Sequence, residues 1–186
     1  MSSNVSCTKE DMKNTMVKGI KAAFDDLKVQ DGYLFDCPIE ETAEHDARKL
    51  HEVCINHRLS NHLESHLQEV VENANDPVFF DIEFNREGGS HKELNVNDHI
   101  QVVRPDIIVH NRKSGGDKRN IMVVECKKEG AGQQSINEDK QKIIAFMNSE
   151  TYLYEFGLQV IYGTQNISGT FFYRNQNEII EEQISS

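Results

Sequence analysis

The sequence has little of several features that would classify it at once. Tryptophan is absent, and only three prolines occur among 186 residues. The four cysteines (Cys7, Cys37, Cys54, Cys126) are scattered and form no Cys-x-x-Cys pair, so neither a zinc ribbon nor a redox motif is indicated. No apolar run approaches the roughly 20 residues of a membrane span, and the polar start Met-Ser-Ser-Asn has no signal-peptide pattern. We therefore expect a cytoplasmic chain with reduced thiols and the length of one domain.

The chain also lacks an overall basic charge. Its net charge of −11 is unusual for a protein that binds phosphate backbones, because Lys and Arg supply most of that affinity. Between residues 104 and 142, however, nine basic residues stand against six acidic ones, and the rest of the chain is strongly acidic. An anionic ligand is therefore expected to bind in this segment, and the acidic remainder would limit non-specific binding.

Apolar spacing predicts two helices before the first strand. The first helix is expected from Thr8 to about Lys28 and the second from about Glu41 to Glu72. Alternation then predicts a strand over 78–85 that carries Val78, Phe80, Ile82 and Phe84 on one face. The polar run that follows, up to Asp98, is predicted to be a turn and a loop.

Two short β-branched runs, 104–110 and 121–128, are joined by a polar segment that contains Gly-Gly, and this pattern predicts a β-hairpin. Because side chains alternate along a strand, Glu125 and Lys127 share one face while Cys126 points to the other, which is expected to be the buried one. Antiparallel pairing brings Asp106 close to Glu125. The hairpin therefore predicts two carboxylates and one ammonium group at a single site.

Such a set of side chains suits a particular chemistry. Two carboxylates supply the oxygen ligands that Mg²⁺ prefers, and this ion usually completes its shell with water and substrate phosphate. A bound metal ion lowers the pKa of water, and a nearby lysine can offset charge on a reacting phosphoryl group. Phosphodiester hydrolysis fits these parts.

Pro105-Asp106, eighteen intervening residues and Glu125-Cys126-Lys127 resemble the PD-(D/E)xK signature of the restriction-endonuclease-like nucleases. The resemblance covers roughly Asp46 to Phe172. It implies an α/β fold in which helices flank a mixed central sheet, an αβββαβ core, here with an extra N-terminal helix. It also implies Asp106 and Glu125 as ligands of Mg²⁺ or Mn²⁺, Lys127 as a catalytic group and the backbone carbonyl of Cys126, or alternatively of Val124, as a further ligand. The alternative is an ordinary hairpin with solvated charges.

In similar nucleases the helix before the sheet often adds a glutamate to the metal site. The resemblance assigns this role to Glu64, with Glu52 and Glu69 as competitors. The same helix carries His62 and His66 at a spacing that can bind zinc, but a third ligand is needed and no HExxH pattern is present. Partly exposed histidines are therefore the favoured interpretation.

The C-terminal half is expected to complete the core. A helix is predicted to start at Asn137, with an apolar stripe formed by Ile143, Ile144, Phe146 and Met147, and strands are predicted over Leu158–Tyr162 and Thr170–Tyr173. The chain then divides into an N-terminal helical appendage (1–45), a nuclease-like core (46–175) and an acidic tail (176–186) expected to be short helix or disordered.

Nucleic acid is the expected partner, with DNA favoured over RNA, and no membrane partner is expected. Arg112, Lys113, Lys128 and Lys142 are the candidate phosphate contacts. A protein that keeps the fold without turnover, acting as a nucleic-acid-binding or protein-binding module, is the alternative function. A homo-oligomer is compatible with the sequence but is not indicated by it.

Overall fold

The structure, a computed structural model, describes residues 9–34, 45–72, 76–87, 90–163 and 166–186, with the backbone alone for 45–51 and 87. Its helices are α1 (Lys9–Asp31), α2 (His45–Val71) and α3 (Gln133–Asn148). Its strands are β1 (Phe79–Ile82), β2 (Arg86–Glu87), β3 (Ser90–His91), β4 (Glu93–Val96), β5 (His99–Val102), β6 (Ile107–His110), β7 (Asn120–Lys128), β8 (Phe156–Tyr162), β9 (Ile167–Asn175) and β10 (Glu178–Ser185). The expected helix start at Thr8 and residues 35–44 lie outside the described residues.

Six strands form one mixed sheet in the order β1-β6-β7-β8-β9-β10. Strands β7 and β8 are parallel, and the other neighbours in this sheet are antiparallel. Helix α3 is the crossover that parallel pairing requires. Strands β2–β3 and β4–β5 form two small separate hairpins. The expected fold class, a mixed sheet flanked by helices, is confirmed.

Helices cover both faces of the sheet. Apolar residues of α1 and α2 pack with Met122, Val124 and Leu158 on one face, and α3 packs with Val123 and Phe172 on the other. Helix α1, expected as an appendage, buries Met16, Ile20, Phe24 and Leu27 in the same core as α2. Helix α1 is thus a structural layer of the core.

Strand β7 is the centre of this architecture. It pairs with β6 on one side, with Ile107 opposite Val124, and with β8 on the other. Its side chains are buried on both faces from Asn120 to Cys126. The predicted hairpin is confirmed, and α3 covers the face of the sheet that carries Glu125.

Three local predictions fail for identifiable reasons. The expected loop up to Asp98 contains the hairpin β4–β5, which turns at Asn97 and Asp98 with φ of 53° and 64°, values that Asn and Asp tolerate better than most residues. Glu83 has φ of 50°, so β1 ends at Ile82 and Phe84 packs on the α3 side of the sheet. Helix α3 begins at Gln133, one turn before the expected Asn137.

The tail is the largest departure. Helix or disorder was predicted for 176–186, which is wrong, since Glu178–Ser185 forms edge strand β10 along β9. Ile184 is buried in the core, and two acidic residues of the strand, Glu181 and Glu182, pair with Lys140 of α3 and Lys13 of α1. Cross-strand pairing with β9 offsets the unfavourable charge of the segment.

None of the described helices is both long and apolar enough to cross a membrane.

Candidate metal and phosphate site at the end of the β6–β7 hairpin

Asp106 and Glu125 lie side by side where β6 begins. Ile107, the first residue of β6, is opposite Val124 of β7, so Asp106, which directly precedes β6, lies next to Glu125. The backbone N–H of Cys126 donates a hydrogen bond of 2.7 Å to Asp106 Oδ2. This bond fixes the orientation of the Asp106 carboxylate beside Glu125, close to which the hairpin pattern predicted it.

Glu125 is buried and Asp106 is half-buried. Glu125 is 4% exposed, and burial raises its pKa well above the usual range, with Lys142 opposing the shift and Asp106 adding to it. Burial also raises the pKa of Asp106, although the Cys126 N–H and Lys127 lower it. Because two buried like charges are unfavourable together, this end of the hairpin stabilises a cation.

Helix α3 supplies two further charges that the sequence interpretation did not connect. Lys142 Nζ lies 3.8 Å from Glu125 Oε2 and 2.8 Å from Asp139 Oδ1. Lys127 Nζ lies 3.1 Å from Asp139 Oδ2. Asp139 is 2% exposed, so it is a buried carboxylate bracketed by two lysines.

The position of Asp139 was readable from its spacing. It precedes Ile143 by four residues and Phe146 by seven, so it lies on the buried stripe of α3. An acid on an apolar stripe needs a buried partner, and the nearest cations of the fold are Lys127 and Lys142. The run Asn137-Glu138-Asp139 has the composition of a polar helix start, and this conceals the buried position of Asp139.

Two hydrogen bonds anchor α3 beside the sheet. Gln159, which is buried on β8 opposite Glu125, donates through Nε2 to the Ile136 carbonyl at 2.6 Å. Asn97, at the tip of the β4–β5 hairpin, donates to Gln141 Oε1 at 2.6 Å. The helix therefore carries Asp139 and Lys142 to the site from a fixed position.

The donors fit a cation of the magnesium type. Among the described residues, no three His, Cys, Asp or Glu side chains are close enough to hold a metal ion by themselves. Two carboxylates suffice for Mg²⁺, since this ion keeps several waters and takes substrate oxygens. The Cys126 side chain packs in the core on the opposite face, so its N–H and carbonyl are what this residue offers to the site.

Among the glutamates of α2 considered as metal ligands, Glu52 is the one whose charge acts on Tyr162. The Tyr162 hydroxyl donates to Asn56 Oδ1 at 2.9 Å, and its pKa is raised by burial and by the charges of Cys126, Asp106 and Glu52. Glu64 is three turns further along α2, about 18 Å by helix geometry. The assignment of a metal ligand to Glu64 stays a prediction, with Glu52 as its competitor.

The histidines of α2 have a different use. His62 Nε2 lies 2.7 Å from Asp31 Oδ2, and His66 Nε2 lies 2.7 Å from Asp26 Oδ2. These contacts join α2 to α1. The zinc interpretation gains no support, because the two rings face separate carboxylates.

The candidate phosphate contacts are not all together. Arg112 and Lys113 follow β6 at the opposite end of the hairpin from Asp106, where they pair with Asp81 and Asp76. Lys128 follows Lys127 on β7 and so points to the other face. Of the four candidates, Lys142 is the one that joins Glu125.

No family model matches the chain, and a comparison with curated proteins found no match either. The geometry of the site is therefore the basis for a functional conclusion.

Proposed function

We propose that the chain is a metal-dependent nuclease that hydrolyses phosphodiester bonds of nucleic acid, with DNA favoured over RNA. The observation that carries the proposal is the meeting of four groups at one end of the central hairpin. Asp106 and Glu125 stand in adjacent strands, and Lys127 and Lys142 bring two ammonium groups to the same face. Carboxylates beside lysines are the parts that phosphodiester hydrolysis needs.

Each residue has a defined part in this proposal. Asp106 and Glu125 hold Mg²⁺, or Mn²⁺ in its place, the backbone carbonyl of Cys126 adds a further ligand, and water and substrate oxygens complete the shell. The metal ion supplies Lewis-acid chemistry and a water of lowered pKa. Lys127 and Lys142 neutralise charge on the phosphate, and the buried walls around Glu125 strengthen that attraction by excluding water.

Location and assembly are part of the same proposal. The scattered cysteines, of which the described Cys54 and Cys126 are free thiols, favour a cytoplasmic protein. Nucleic acid is the proposed partner, and a homo-oligomer is compatible with it.

A catalytically silent module of the same fold is the second candidate. It is favoured by the ion pairs that already engage the candidate phosphate contacts: Arg112 with Asp81, Lys113 with Asp76 and Lys142 with Asp139. Such pairing weakens the attraction for a phosphate backbone. A silent module would bind nucleic acid or protein without cleaving it.

Cleavage of single-stranded, duplex and branched DNA and RNA in Mg²⁺ or Mn²⁺ tests the first candidate. Asp106→Asn and Lys127→Ala are expected to lower the rate by roughly 10²-fold or more, because each removes a charge that the site uses. The exposed residues Asp117 and Lys18 provide matched controls, Asp117→Asn and Lys18→Ala, which should retain the wild-type rate.

Calorimetry separates the two candidates further. Binding of Mg²⁺ or Mn²⁺ that Asp106→Asn abolishes, together with cleavage, supports the nuclease. A folded wild-type chain that cuts none of these substrates and binds no divalent metal ion would leave the silent module as the better conclusion.

A further inference from the structure

The carboxylate of Asp139 is the one charge at the site that the proposed reaction does not yet use. Its two oxygens face two different lysines: Oδ1 lies 2.8 Å from Lys142 Nζ, and Oδ2 lies 3.1 Å from Lys127 Nζ. The residue is 2% exposed, whereas both lysine side chains are 30% exposed. The carboxylate therefore lies beneath the two ammonium groups, which face the solvent side.

The contacts with Asp139 restrict two side chains that are flexible on their own, those of Lys127 and Lys142. A lysine side chain is a compact charge on a four-carbon stem, and it loses much rotamer freedom when it is fixed. Lys127 comes from β7 and Lys142 from α3, so the backbone alone does not set the distance between their ammonium groups. A single buried acceptor between them fixes both.

We propose that Asp139 is the positioning residue of this site, which holds Lys127 and Lys142 as a matched pair of cations beside Asp106 and Glu125. The inference rests on the proposed function and adds a specific expectation to it: the site takes a phosphodiester whose two non-bridging oxygens are met by two ammonium groups. Asp139 acts through the lysines and does not touch the substrate.

The geometry separates this role from that of a third metal ligand. Asp139 Oδ1 accepts a hydrogen bond from Lys142 at 2.8 Å, and Asp139 Oδ2 lies at ion-pair distance, 3.1 Å, from Lys127 Nζ. Metal binding should therefore depend on Asp106 and Glu125 and be nearly independent of Asp139.

The test compares Asp139→Asn with Glu138→Gln, an equal loss of charge at the neighbouring exposed residue of α3. Asp139→Asn is expected to lower kcat by roughly 10- to 100-fold, with KM and Mn²⁺ affinity each changed by less than about threefold, because misplaced groups cost rate more than binding. Glu138→Gln should behave as wild type. In a Lys127→Ala, Lys142→Ala background, Asp139→Asn should have no further effect, since its partners are gone.

A second measurement does not depend on turnover. Acetylation of lysines by a limiting reagent, followed by mass spectrometry, gives the modification rate of each side chain relative to exposed Lys18. Asp139→Asn is expected to increase the rates at Lys127 and Lys142 several-fold, and Glu138→Gln should leave them unchanged.

The outcomes are distinguishable. Active wild-type protein with Asp139→Asn equal to Glu138→Gln would overturn the positioning role and leave the nuclease intact, and a large loss of Mn²⁺ affinity in Asp139→Asn would make it a metal ligand instead. A wild-type chain without activity would overturn the proposed function. In that case the labelling rates still decide whether Asp139 holds the two lysines.

Discussion

Glu125 shows how a single residue can work against the fold that contains it. Its carboxylate is buried under α3, and its closest cation, Lys142, is 3.8 Å away and is shared with Asp139. Burial of an incompletely compensated charge costs free energy unless a cation or a proton arrives. The ionised residue is thus a local source of instability that a bound cation or a proton relieves.

Glu125→Gln is therefore expected to stabilise the metal-free protein. Removing the buried charge should raise the free energy of unfolding at pH 7 by about 1–2 kcal/mol, measured by urea denaturation in a chelator. The pKa of Glu125 is raised in the folded state, so the contribution of this residue to stability is greatest at low pH and falls as the group ionises. The difference between variant and wild type should accordingly shrink towards pH 4.

The control is Glu150→Gln, at an exposed position, which should change stability by less than about 0.5 kcal/mol. Added Mg²⁺ should stabilise the wild type and not Glu125→Gln, because only a protein with the ligand gains from binding. Equal stabilisation of both would show that Glu125 does not bind the metal ion.

For single residues, the sequence predicts the positions that follow from the alternation of side chains along paired strands. Asp106, Glu125 and Lys127 meet because pairing register follows from the apolar pattern of two neighbouring runs. Asp139 reaches the same region through packing of α3, and the face of the helix that carries it depends on which face the sheet covers. Periodicity narrows that choice for Asp139 but does not decide between Glu52 and Glu64 on α2.

Among the elements, β10 illustrates how neighbours override local preference. Its sequence, with three glutamates in eight residues, is a weak strand candidate. Backbone pairing with β9 and burial of Ile184 stabilise it, and Lys13 and Lys140 approach its acids from α1 and α3. Ion pairs with the two helices therefore stabilise this edge strand in addition to its backbone pairing with β9.

Ile184→Ala tests whether this segment belongs to the core. The loss of a fully packed side chain should lower the free energy of unfolding by about 2–4 kcal/mol, as followed by thermal or urea denaturation. Glu178→Ala, at an exposed position of the same strand, should cost less than about 0.5 kcal/mol. Similar small effects of both substitutions would contradict the burial of β10.

The β4–β5 hairpin was hidden from sequence for another reason. Of its four β5 residues none is buried, so no alternation of burial marks the strand. Leu94 alone packs deeply, against the α3 side of the sheet. The dipeptide Asn97-Asp98 is the one sequence feature of this segment that is typical of a hairpin turn. It forms such a turn only when both residues adopt left-handed backbone, which composition alone does not reveal.

Across the whole molecule, the layer of α1 and α2 is joined by buried polar contacts in addition to apolar packing. Asp31 accepts from Arg58 Nε at 2.7 Å and lies 2.7 Å from His62 Nε2. Burial raises the pKa of Asp31, but the hydrogen bonds with His62 and Arg58 outweigh it, so the pKa is lowered overall. The negative charge of Asp31 is therefore favoured by folding.

Asp31→Asn should lower the free energy of unfolding by about 1–3 kcal/mol at pH 7, because it removes the charge of a buried carboxylate that pairs with Arg58 and His62. Since the folded pKa is depressed, this contribution is present above pH about 4 and is lost as pH falls through the folded pKa. Urea denaturation from pH 7 to pH 3 should show the gap between wild type and variant closing. Asp25→Asn, at an exposed position of α1, is the control, and an equal effect of both would contradict the buried contact.

The parallel pairing of β7 with β8 has a consequence for the order of folding. Asp106 and Glu125 belong to a local hairpin whose ends close over a short loop, and such contacts form fast. Asp139 and Lys142 belong to the crossover helix α3, whose position on the sheet depends on the pairing of β8 with β7. We therefore expect a folding chain to bring its two acids together first and to add Asp139 and Lys142 of α3 later, once β8 has paired with β7.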